Sequence, residues 1–440
     1  MKRFINTLQN IWKVEELRKR IILTLGLILV YRIGSYVVLP GIDPSKLESS
    51  TTGLGAILAL FTGGAFSRAS ILALGIMPYI SASIIMQLLG FAIPQIQKMQ
   101  QDGESGRKKI NNYTRFLTIA ICAFQAPSYI SLTVPPQALV DATPFWWVST
   151  VALLIAGTMF VMLIGEKITD RGIGNGISLL ITVGILAGLP QAFFQEVSLK
   201  AEDGNIFLII VEMVVFLVVI LVTVLLVQGV RRIPVQYAKR VVGARGSNLA
   251  EQGVRDYIPL KVNSSGVMPI IFAQAIMSIP LMAAQYFQST AFASLTDIQG
   301  FWYNFIFAVV IIVFTYFYTA IMINPKQMAD DMKRNGGFIP GVKPGTHTAE
   351  FIDSVLSKIT LPGALFLGII AILPAFAMQA GVTQGFAMFF GGTSLLIMVG
   401  VVLDTLQQIE SYLLSRHYDG LMEGGKIKGR RSEISGGGMV

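Results

Sequence analysis

The side chains that most often carry out chemistry are scarce in this chain. Its only histidines are His347 and His417, and its only cysteine is Cys122. These three residues do not assemble a Ser/His/Asp or Cys/His set, and two histidines argue against a histidine-based metal site. A single cysteine also excludes a disulfide within the chain. We therefore expect a protein that is not an enzyme and that holds no cofactor or metal.

Two glycine-rich segments come near to nucleotide-binding motifs without matching them. Residues 420–427 read GLMEGGKI, with Ile427 where a phosphate loop requires Ser or Thr. Residues 171–176 read RGIGNG and lead into an apolar segment rather than out of a strand. Any energy from a nucleotide would therefore have to come from a partner protein.

Ionisable residues inside the apolar segments are also few. Arg32, Glu212 and Asp404 are the chief candidates, and the first two lie close to segment ends. Charges at membrane depth are costly and usually mark an ion or proton pathway, but these three do not suggest a relay. The pattern disfavours an ion-coupled transporter of small solutes.

The elements that must position these residues are membrane spans. Of the 440 residues, 53% are hydrophobic and only 13% are charged, which is typical of polytopic membrane proteins. Ten apolar segments approach the roughly 20 residues that cross a bilayer. They cover residues 21–39, 75–93, 114–134, 147–165, 173–190, 206–227, 264–287, 302–323, 361–380 and 387–411.

The distribution of basic residues supports that number of spans. All but four of the 34 Lys and Arg residues fall on alternate connecting segments, the exceptions being Arg32, Lys46, Arg68 and Lys200. Because positive charge resists translocation, the basic segments mark the cytoplasmic side, with both termini inside. Residues 1–20 then form an amphipathic cytoplasmic helix suited to anionic lipids, and residues 412–440 form a cytoplasmic tail.

Ten spans divide into two sets of five, residues 21–190 and 206–411, with an external hinge at 191–205. Sets with an odd number of spans insert in opposite orientations, which permits an inverted repeat with a pore between the halves. The predicted fold class is therefore an all-α polytopic membrane protein, with ten transmembrane helices in two pseudo-symmetric halves of five.

The clearest departure from a simple span lies at residues 53–91. A short apolar run from Leu54 to Phe61 ends at Gly63 and Gly64, and polar residues follow before a full-length span begins near Leu74. Irregular backbone at membrane depth is tolerated only inside protein or against water. The pattern alone leaves two interpretations open, a stopper in a channel or a re-entrant or external loop with no moving part.

Two long cytoplasmic loops interrupt the second half. Residues 228–262 alternate basic residues with β-branched and aromatic ones, which predicts a protruding hairpin. Residues 324–360 predict a short helix that ends at Gly336 and Gly337, followed by two Pro-Gly turns. The positive-inside rule explains their charge but not their length, so we expect a docking surface for anionic partners such as ribosomal RNA, acidic lipids or an acidic protein face.

Five strings in the chain closely resemble the SecY family of protein-conducting channels, in order and at the family's spacing. They are GGAFSRASILALGIMPYISASIIMQLL, RGIGNGIS, KVNSSGVMPIIFA, NPKQMADDMKRNGGFIPG and FGGTSLLI. The resemblance implies two five-helix halves around an hourglass pore. It also implies a central subunit that moves unfolded secretory polypeptides across the bacterial plasma (inner) membrane and releases transmembrane segments sideways into lipid.

The resemblance implies roles for particular residues. Residues 54–67 would be the plug, with the plug set Leu54, Ile57, Leu58, Leu60, Phe61, Gly63, Gly64 and Arg68. The pore ring would be Ile80, Ile84, Ile181, Ile185, Ile271 and Ile397. Partners would dock through Arg231, Arg232, Lys239, Arg240, Arg245, Arg255, Lys333, Arg334 and Lys343. Lys343 departs from the Arg of many relatives, which weakens any need for bidentate geometry there.

The partners implied by the resemblance are the small membrane subunits SecE and SecG, the motor ATPase SecA, the ribosome, signal sequences and nascent polypeptides. YidC, SecDF and anionic lipids are further candidates. The chain itself would be a passive channel, driven by SecA, the ribosome or the proton-motive force.

A ring of branched apolar side chains suits such a channel because it offers ions no replacement for their hydration shell. Ile80 and Ile84 share a helix face, although isoleucines four apart more often pack or contact lipid. The resemblance also implies a lateral gate between spans 2–3 and 7–8. Apolar contact closes such a gate only weakly in lipid, so polar pairing could set the closing energy. We predict a polar cluster of Gln87, Gln125 and Gln274 on the gate helices, the alternative being separate hydrogen bonds within each helix.

Two other functions remain open from the sequence. A small-solute secondary transporter of ten spans ranks second, and a membrane anchor for a cytoplasmic assembly ranks third. A buried ionisable relay would have favoured the transporter, and continuous spans without breaks would have favoured the anchor.

Overall fold

The structure is a computed structural model that describes residues 12, 14–47, 59, 62–139, 143–202, 204–237, 255–274, 276–277 and 300–424. Most of these residues are helical. The predicted amphipathic helix at 1–20 and the predicted tail at 412–440 lie largely outside the described residues.

The first half of the chain contains six described α-helices. They are α1 (Glu15–Gly34), α2 (Met77–Ala92), α3 (Pro94–Gln101), α4 (Gly103–Thr133), α5 (Pro144–Arg171) and α6 (Gly176–Glu202). The start of α5 follows from capping chemistry. The Thr143 side chain accepts a hydrogen bond from the Trp146 amide at the start of α5, and Pro144 occupies the first turn, where its missing N–H does no harm.

The second half contains α7 (Ile206–Gln228), β1 (Val230–Tyr237), β2 (Arg255–Lys261), α8 (Phe301–Met322), α9 (Pro325–Arg334), β3 (Gly337–Phe338), α10 (Thr346–Gln379), α11 (Gln384–Ala387) and α12 (Gly392–Gly424). In the predicted seventh span, 264–287, residues 264–267 form turns, and residues 268–274 and 276–277 are helical.

Three short strands form one antiparallel sheet in the order β2-β1-β3. Ile233 pairs with Ile258, and Gln236 pairs with Phe338, so the two long loops predicted separately join in one sheet. Its core also includes Met332 on α9 and Ile352 on α10. The predicted hairpin is confirmed, and so is the predicted short helix before Gly336. We call the end of the helical bundle that carries this sheet the sheet end.

Six described helices are long and apolar enough to cross a membrane, or seven if the bent pair Met77–Gly90 and Pro94–Gln100 is one span. Two further predicted spans, 21–39 and 114–134, overlap α1 and α4, which have 20 and 31 residues and carry more charge at their ends. Helix α1 ends at Gly34, so residues 35–39 of the first predicted span are not helical. The seventh predicted span is described only in part.

Helix α6 is longer than the predicted fifth span. It continues through Pro190 to Glu202, so residues 191–202 of the predicted hinge are helical. Proline removes one backbone donor and commonly ends a helix, but the inward-facing Ala192 and Glu196 continue the buried stripe beyond it. The connection between the two halves is therefore short, with Gly204 and Asn205 as its described residues.

Candidate functional site

The six isoleucines predicted for the pore ring belong to one large apolar cluster of the interior, which we call the isoleucine cluster and which also includes Phe216 and Phe386. Ile80 and Ile84 reach it from α2, Ile181 and Ile185 from α6, Ile271 from residues 268–274, and Ile397 from α12. Five of them are buried, and Ile271 is partly buried against the others. Both halves of the chain therefore contribute to one apolar contact in the interior. The six side chains face protein rather than surrounding lipid.

The irregular segment 62–76 approaches this cluster at Gly63. A Cβ added to Gly63 would lie 3.1 Å from Cα of Gly184, the residue before Ile185 on α6. Gly63 also has φ of +63°, a conformation that residues with side chains rarely adopt. Only glycine allows this close backbone approach, so the break at Gly63 places the segment directly against a helix of the isoleucine cluster.

Two arginines hold the Gly63 carbonyl. Arg68 Nη2 donates to Gly63 O at 2.8 Å, and Arg32 Nη1 donates to the same oxygen at 3.4 Å. Both guanidinium groups also lie over the ring of Tyr36, with their central carbons 4.3 Å (Arg68) and 5.7 Å (Arg32) from its centre. Among the described residues no carboxylate forms an ion pair with either arginine. The Gly63 carbonyl oxygen and the face of the Tyr36 ring are the partners of both arginines instead.

The rest of segment 62–76 is fixed by neighbours from the same half. The Tyr129 hydroxyl on α4 donates to Phe66 O at 2.7 Å, and the two rings pack edge to face. The Leu39 amide donates to Ala69 O, and the Ile71 amide donates to Val37 O, which ties the segment to the chain after α1. The segment is thus irregular but well bonded, as backbone must be at membrane depth.

The remaining plug predictions fall mainly outside the described residues. Leu54, Ile57, Leu58, Leu60 and Phe61 are not described, whereas Gly63, Gly64 and Arg68 are. Gly64 has φ of +80°, and its amide donates to Ala59 O at 2.8 Å. Two successive left-handed glycines therefore redirect the chain at the predicted break.

The structure does not bring the three predicted gate glutamines together. Gln87 Oε1 on α2 accepts a long hydrogen bond of 3.5 Å from the Tyr318 hydroxyl on α8. Gln274 Nε2 donates to Thr393 Oγ1 at 2.9 Å, and Gln125 is exposed. Helix α2 belongs to the first half and α8 to the second, so the pair that crosses the seam between the halves is Gln87 and Tyr318.

Sequence reasoning missed Tyr318 because its partner is 231 residues away in the chain. The available signal was the run FTYFYTA of α8, in which Tyr318 is one of four hydroxyl side chains. The Gln274 partner Thr393 follows the Gly391–Gly392 pair and lies in the string FGGTSLLI, which did mark this region.

Part of the predicted docking set lies exposed at the sheet end. Arg231 and Arg232 project from β1, Lys333 and Arg334 from the end of α9, and Lys343 from the turn before α10. The Lys343 carbonyl accepts a hydrogen bond from Thr348 Oγ1, which fixes that turn. The side chains of the other predicted docking residues, Lys239, Arg240, Arg245 and Arg255, lie outside the description.

The glycine-rich residues 171–176 have a structural role. The Thr24 hydroxyl of α1 accepts from the Ile173 amide, and Gln408 Oε1 of α12 accepts from the Gly174 amide. Gly174 has φ of +78°, and the Asn175 side chain accepts from two amides at the start of α6. This loop turns the chain between α5 and α6 and links the two halves through Gln408.

The comparisons with known proteins agree with this geometry. Residues 70–406 match the SecY family. The protein translocase subunit SecY of Streptomyces scabiei is 42% identical over 93% of this chain and 98% of its own length. The subunit of the same name from Vibrio cholerae is 41% identical over 94% of this chain and 96% of its own length.

Solved structures give the same fold at 18% identity, each covering 93% of this chain and 94% of its own. One, described as the structure of a protein conducting channel, has a TM-score of 0.65. A second concerns the plug domain of SecY (0.59), and a third is Sec61 in a canine ribosome–channel complex (0.62). The predicted fold class, with ten transmembrane helices in two halves, is confirmed.

The family match spans most of the chain, and the curated relatives are covered almost end to end. The strings that carried the resemblance include the structural elements described above: the bonded segment at Gly63, the loop at 171–176 and the helix α9 of the sheet end. The chain belongs to the SecY family.

Proposed function

We propose that this chain is the channel-forming subunit of a bacterial protein translocase, through which unfolded secretory polypeptides cross the plasma membrane. One observation carries the proposal. Isoleucines from both halves belong to a single apolar cluster, and the irregular segment comes up against α6, one of the helices of that cluster, at Gly63. An apolar constriction blocks hydrated ions yet offers a passing chain no partner that would trap it.

The plug in this proposal is residues 54–67, and the irregular segment contains its last residues. Phe66 and the residues that follow are held by Tyr129 and by the chain after α1, but at Gly63 the contacts are two hydrogen bonds to one carbonyl and a backbone approach to Gly184. Such contacts can be broken one by one as a polypeptide enters. The description of a related structure says that the SecY plug domain stabilises the closed state and maintains a membrane seal, which is the role proposed here.

The seam between α2 and α8 serves as the lateral gate. A long hydrogen bond of 3.5 Å between Gln87 and Tyr318 is weak, and apolar contact adds little where lipid is the competitor. A signal sequence or nascent transmembrane helix could therefore separate the seam at modest cost.

The sheet end faces the cytoplasm and docks the partners that supply energy. Its exposed Arg and Lys side chains follow the positive-inside rule and would attract ribosomal RNA or an acidic protein face. The similar Sec61 structure is a ribosome–channel complex. The ribosome and the motor ATPase SecA are the proposed partners at this surface, with SecE, SecG, YidC, SecDF and anionic lipids around the bundle. Both termini lie on the cytoplasmic side.

The test uses the complete complex reconstituted in lipid vesicles. Deleting residues 56–66 should raise ion flux, because the plug no longer covers the constriction. Ile185→Ser should also raise ion flux, since it adds a hydroxyl to the constriction. Its matched control is Leu186→Ser, because Leu186 is the next residue on α6 and is exposed.

Polypeptide transport is measured in the same vesicles as protease protection of a secretory protein. A membrane anchor would show no leak in any variant, and a small-solute transporter would protect no polypeptide. Either result would overturn the proposal.

A further inference from the structure

Three charged side chains are buried together at the end of the bundle opposite the sheet. Glu196 and Lys200 lie one turn apart near the end of α6, and Glu212 lies in the second turn of α7. Lys200 Nζ is 3.3 Å from Glu212 Oε1 and 3.9 Å from Glu196 Oε1. The exposed fractions of the side chains are 1% for Glu196, 8% for Glu212 and 13% for Lys200.

The connection between α10 and α11 bonds to the same charged group. Glu196 Oε2 accepts from the Thr383 amide at 2.9 Å and also from the Thr383 hydroxyl. Lys200 Nζ donates to the Gly381 carbonyl at 2.9 Å. Glu196 and Lys200 belong to the last helix of the first half, whereas Glu212, Gly381 and Thr383 all belong to the second. Every one of these bonds except the Glu196–Lys200 pair therefore crosses between the halves.

The position of the group coincides with the point where the halves are covalently joined. Helix α6 ends at Glu202 and α7 begins at Ile206, so the short connection passes beside the three charges. Beneath them Phe193 of α6 packs on Phe386 at 5.9 Å between ring centres, and Phe216 of α7 packs on Phe386 and Phe390. Charged bonds thus lie above an aromatic layer at the pivot of the two halves.

The stability of the three buried charges depends on the distances between them. Two carboxylates share one ammonium, and Glu196 Oε1 and both oxygens of Glu212 accept no hydrogen bond within the described structure. Buried carboxylates are costly, and a buried ion group is stable only with close partners. A rotation of one half against the other would lengthen the Lys200–Glu212, Lys200–Gly381 and Glu196–Thr383 contacts together. The closed arrangement is therefore preferred.

We propose that Glu196, Lys200 and Glu212 form a hinge lock, a set of positioning residues that holds the halves together at this end and sets how far the Gln87–Tyr318 seam opens. The proposal rests on the proposed channel function. Among the described residues, no hydrogen bond or ion pair joins these three to the six isoleucines or to the basic residues of the sheet end. Their effect on transport would pass through the relative position of the halves.

The experiment measures the seam directly. Gln87→Cys and Tyr318→Cys are introduced together in a Cys122→Ala background, and the rate of disulfide formation is followed in the complete complex in vesicles without substrate. Lys200→Met leaves two buried carboxylates unpaired, so it should open the seam and slow the disulfide several-fold. Thr383→Val removes a bond to Glu196 without changing charge and should have a smaller effect in the same direction.

Two controls separate the hinge lock from general damage. Glu202→Gln removes an exposed carboxylate from the same helix and should leave the rate unchanged. Lys200→Arg keeps the charge and should retain most of the closed population. If Lys200→Met fails to assemble, the rates of disulfide formation in Thr383→Val and Lys200→Arg, compared with that in Glu202→Gln, still test the hinge lock.

Different results would contradict the hinge lock and the channel function. If the cysteine pair responds to an added signal peptide but Lys200→Met and Thr383→Val both match Glu202→Gln, the hinge lock is wrong and the channel function stands. If the unmodified complex transports no polypeptide and the seam does not respond to a signal peptide, the channel function is wrong. A several-fold slower disulfide in Lys200→Met, with Glu202→Gln unchanged, supports the hinge lock.

Discussion

Gly63 and Gly184 meet backbone to backbone, since a Cβ on Gly63 would lie 3.1 Å from both Cα and O of Gly184. Gly184 stands on α6 between Ile181 and Ile185, so this approach fixes the height of the irregular segment relative to the isoleucine cluster. Contacts under 3.4 Å force a neighbour to move. The Arg32 guanidinium lies nearest to such a Cβ and can shift, but the α6 backbone at Gly184 yields poorly.

Gly63→Ala should therefore displace the segment and raise ion flux through the resting channel. The added methyl group meets Gly184, and the residue must also keep φ of +63°. Gly336→Ala is the matched control, because Gly336 has φ of +69° and nothing within 4 Å of the added Cβ. Equal leak from the two variants would mean that backbone strain, and not the contact with α6, explains the result.

The two arginines on the Gly63 carbonyl should contribute unequally. Arg68 donates at 2.8 Å and Arg32 at 3.4 Å, so Arg68→Gln should raise resting ion flux more than Arg32→Gln. Losing a hydrogen bond from a charged donor costs on the order of 1.5 kcal/mol, and about 1.4 kcal/mol changes an equilibrium tenfold. For Arg68→Gln we expect the equilibrium between the open and closed positions of the plug to shift toward the open position by up to about tenfold.

Lys46→Gln is the control for the arginine variants, because it removes an exposed positive charge near the same end of α1. A larger leak from Arg32→Gln than from Arg68→Gln would contradict the assignment of the stronger bond. A leak from Lys46→Gln as large as that from Arg68→Gln would point to general electrostatics.

Tyr318→Phe should lower the hydrophobicity that a signal sequence needs to insert. It removes the hydroxyl that bridges the seam to Gln87 and leaves the ring in place against Phe272. A long hydrogen bond contributes roughly 0.5 to 1 kcal/mol, so the shift should be a few-fold in insertion efficiency at intermediate hydrophobicity.

A double-mutant cycle of Tyr318→Phe with Gln87→Leu measures the pair itself. The combined effect should be smaller than the sum of the single effects. Gln125→Leu is the control, since Gln125 is exposed and bonds neither of the other glutamines in the structure. Additive single effects would contradict the Gln87–Tyr318 pair. A shift from Gln125→Leu would favour the three-glutamine cluster that the sequence predicted.

Reversing the charge of Arg231 and Arg232 to Glu should weaken the binding of ribosomes or of the motor ATPase to vesicles that contain the complex. The loss should be greatest at low ionic strength and should shrink as salt screens the interaction. Lys98→Glu is the matched control, because Lys98 is an exposed basic residue on α3 in the first half. A salt-independent loss, or an equal loss for Lys98→Glu, would exclude a specific electrostatic dock on β1.

The sequence predicted those parts of the fold that depend on local pattern. Alternation of basic with β-branched residues predicted β1 and β2, and the glycines after Arg334 predicted the end of α9. The six isoleucines were identified from the resemblance, because four-residue spacing alone would suit lipid contact equally well. Their common burial is a tertiary property that depends on how four helical segments are arranged.

The errors arose where tertiary contact decides the outcome. Gln87 bonds Tyr318 and Gln274 bonds Thr393, so the two glutamines do not bond each other. No sequence pattern within either helix specifies which neighbour is nearer. Glu212 was predicted only to lie close to a segment end, but it is buried and pairs with Lys200. The four-residue spacing of Glu196 and Lys200 was a signal that could have led to that group.

The sheet at the end of α7 has a mechanical consequence. Its three strands, α9 and the first turns of α10 share one small core, and every one of these elements belongs to the second half of the chain. A partner that pushes on the sheet end applies its force to the second half of the chain and not to the first half. Engagement from one side alone would then be enough to exert torque between them.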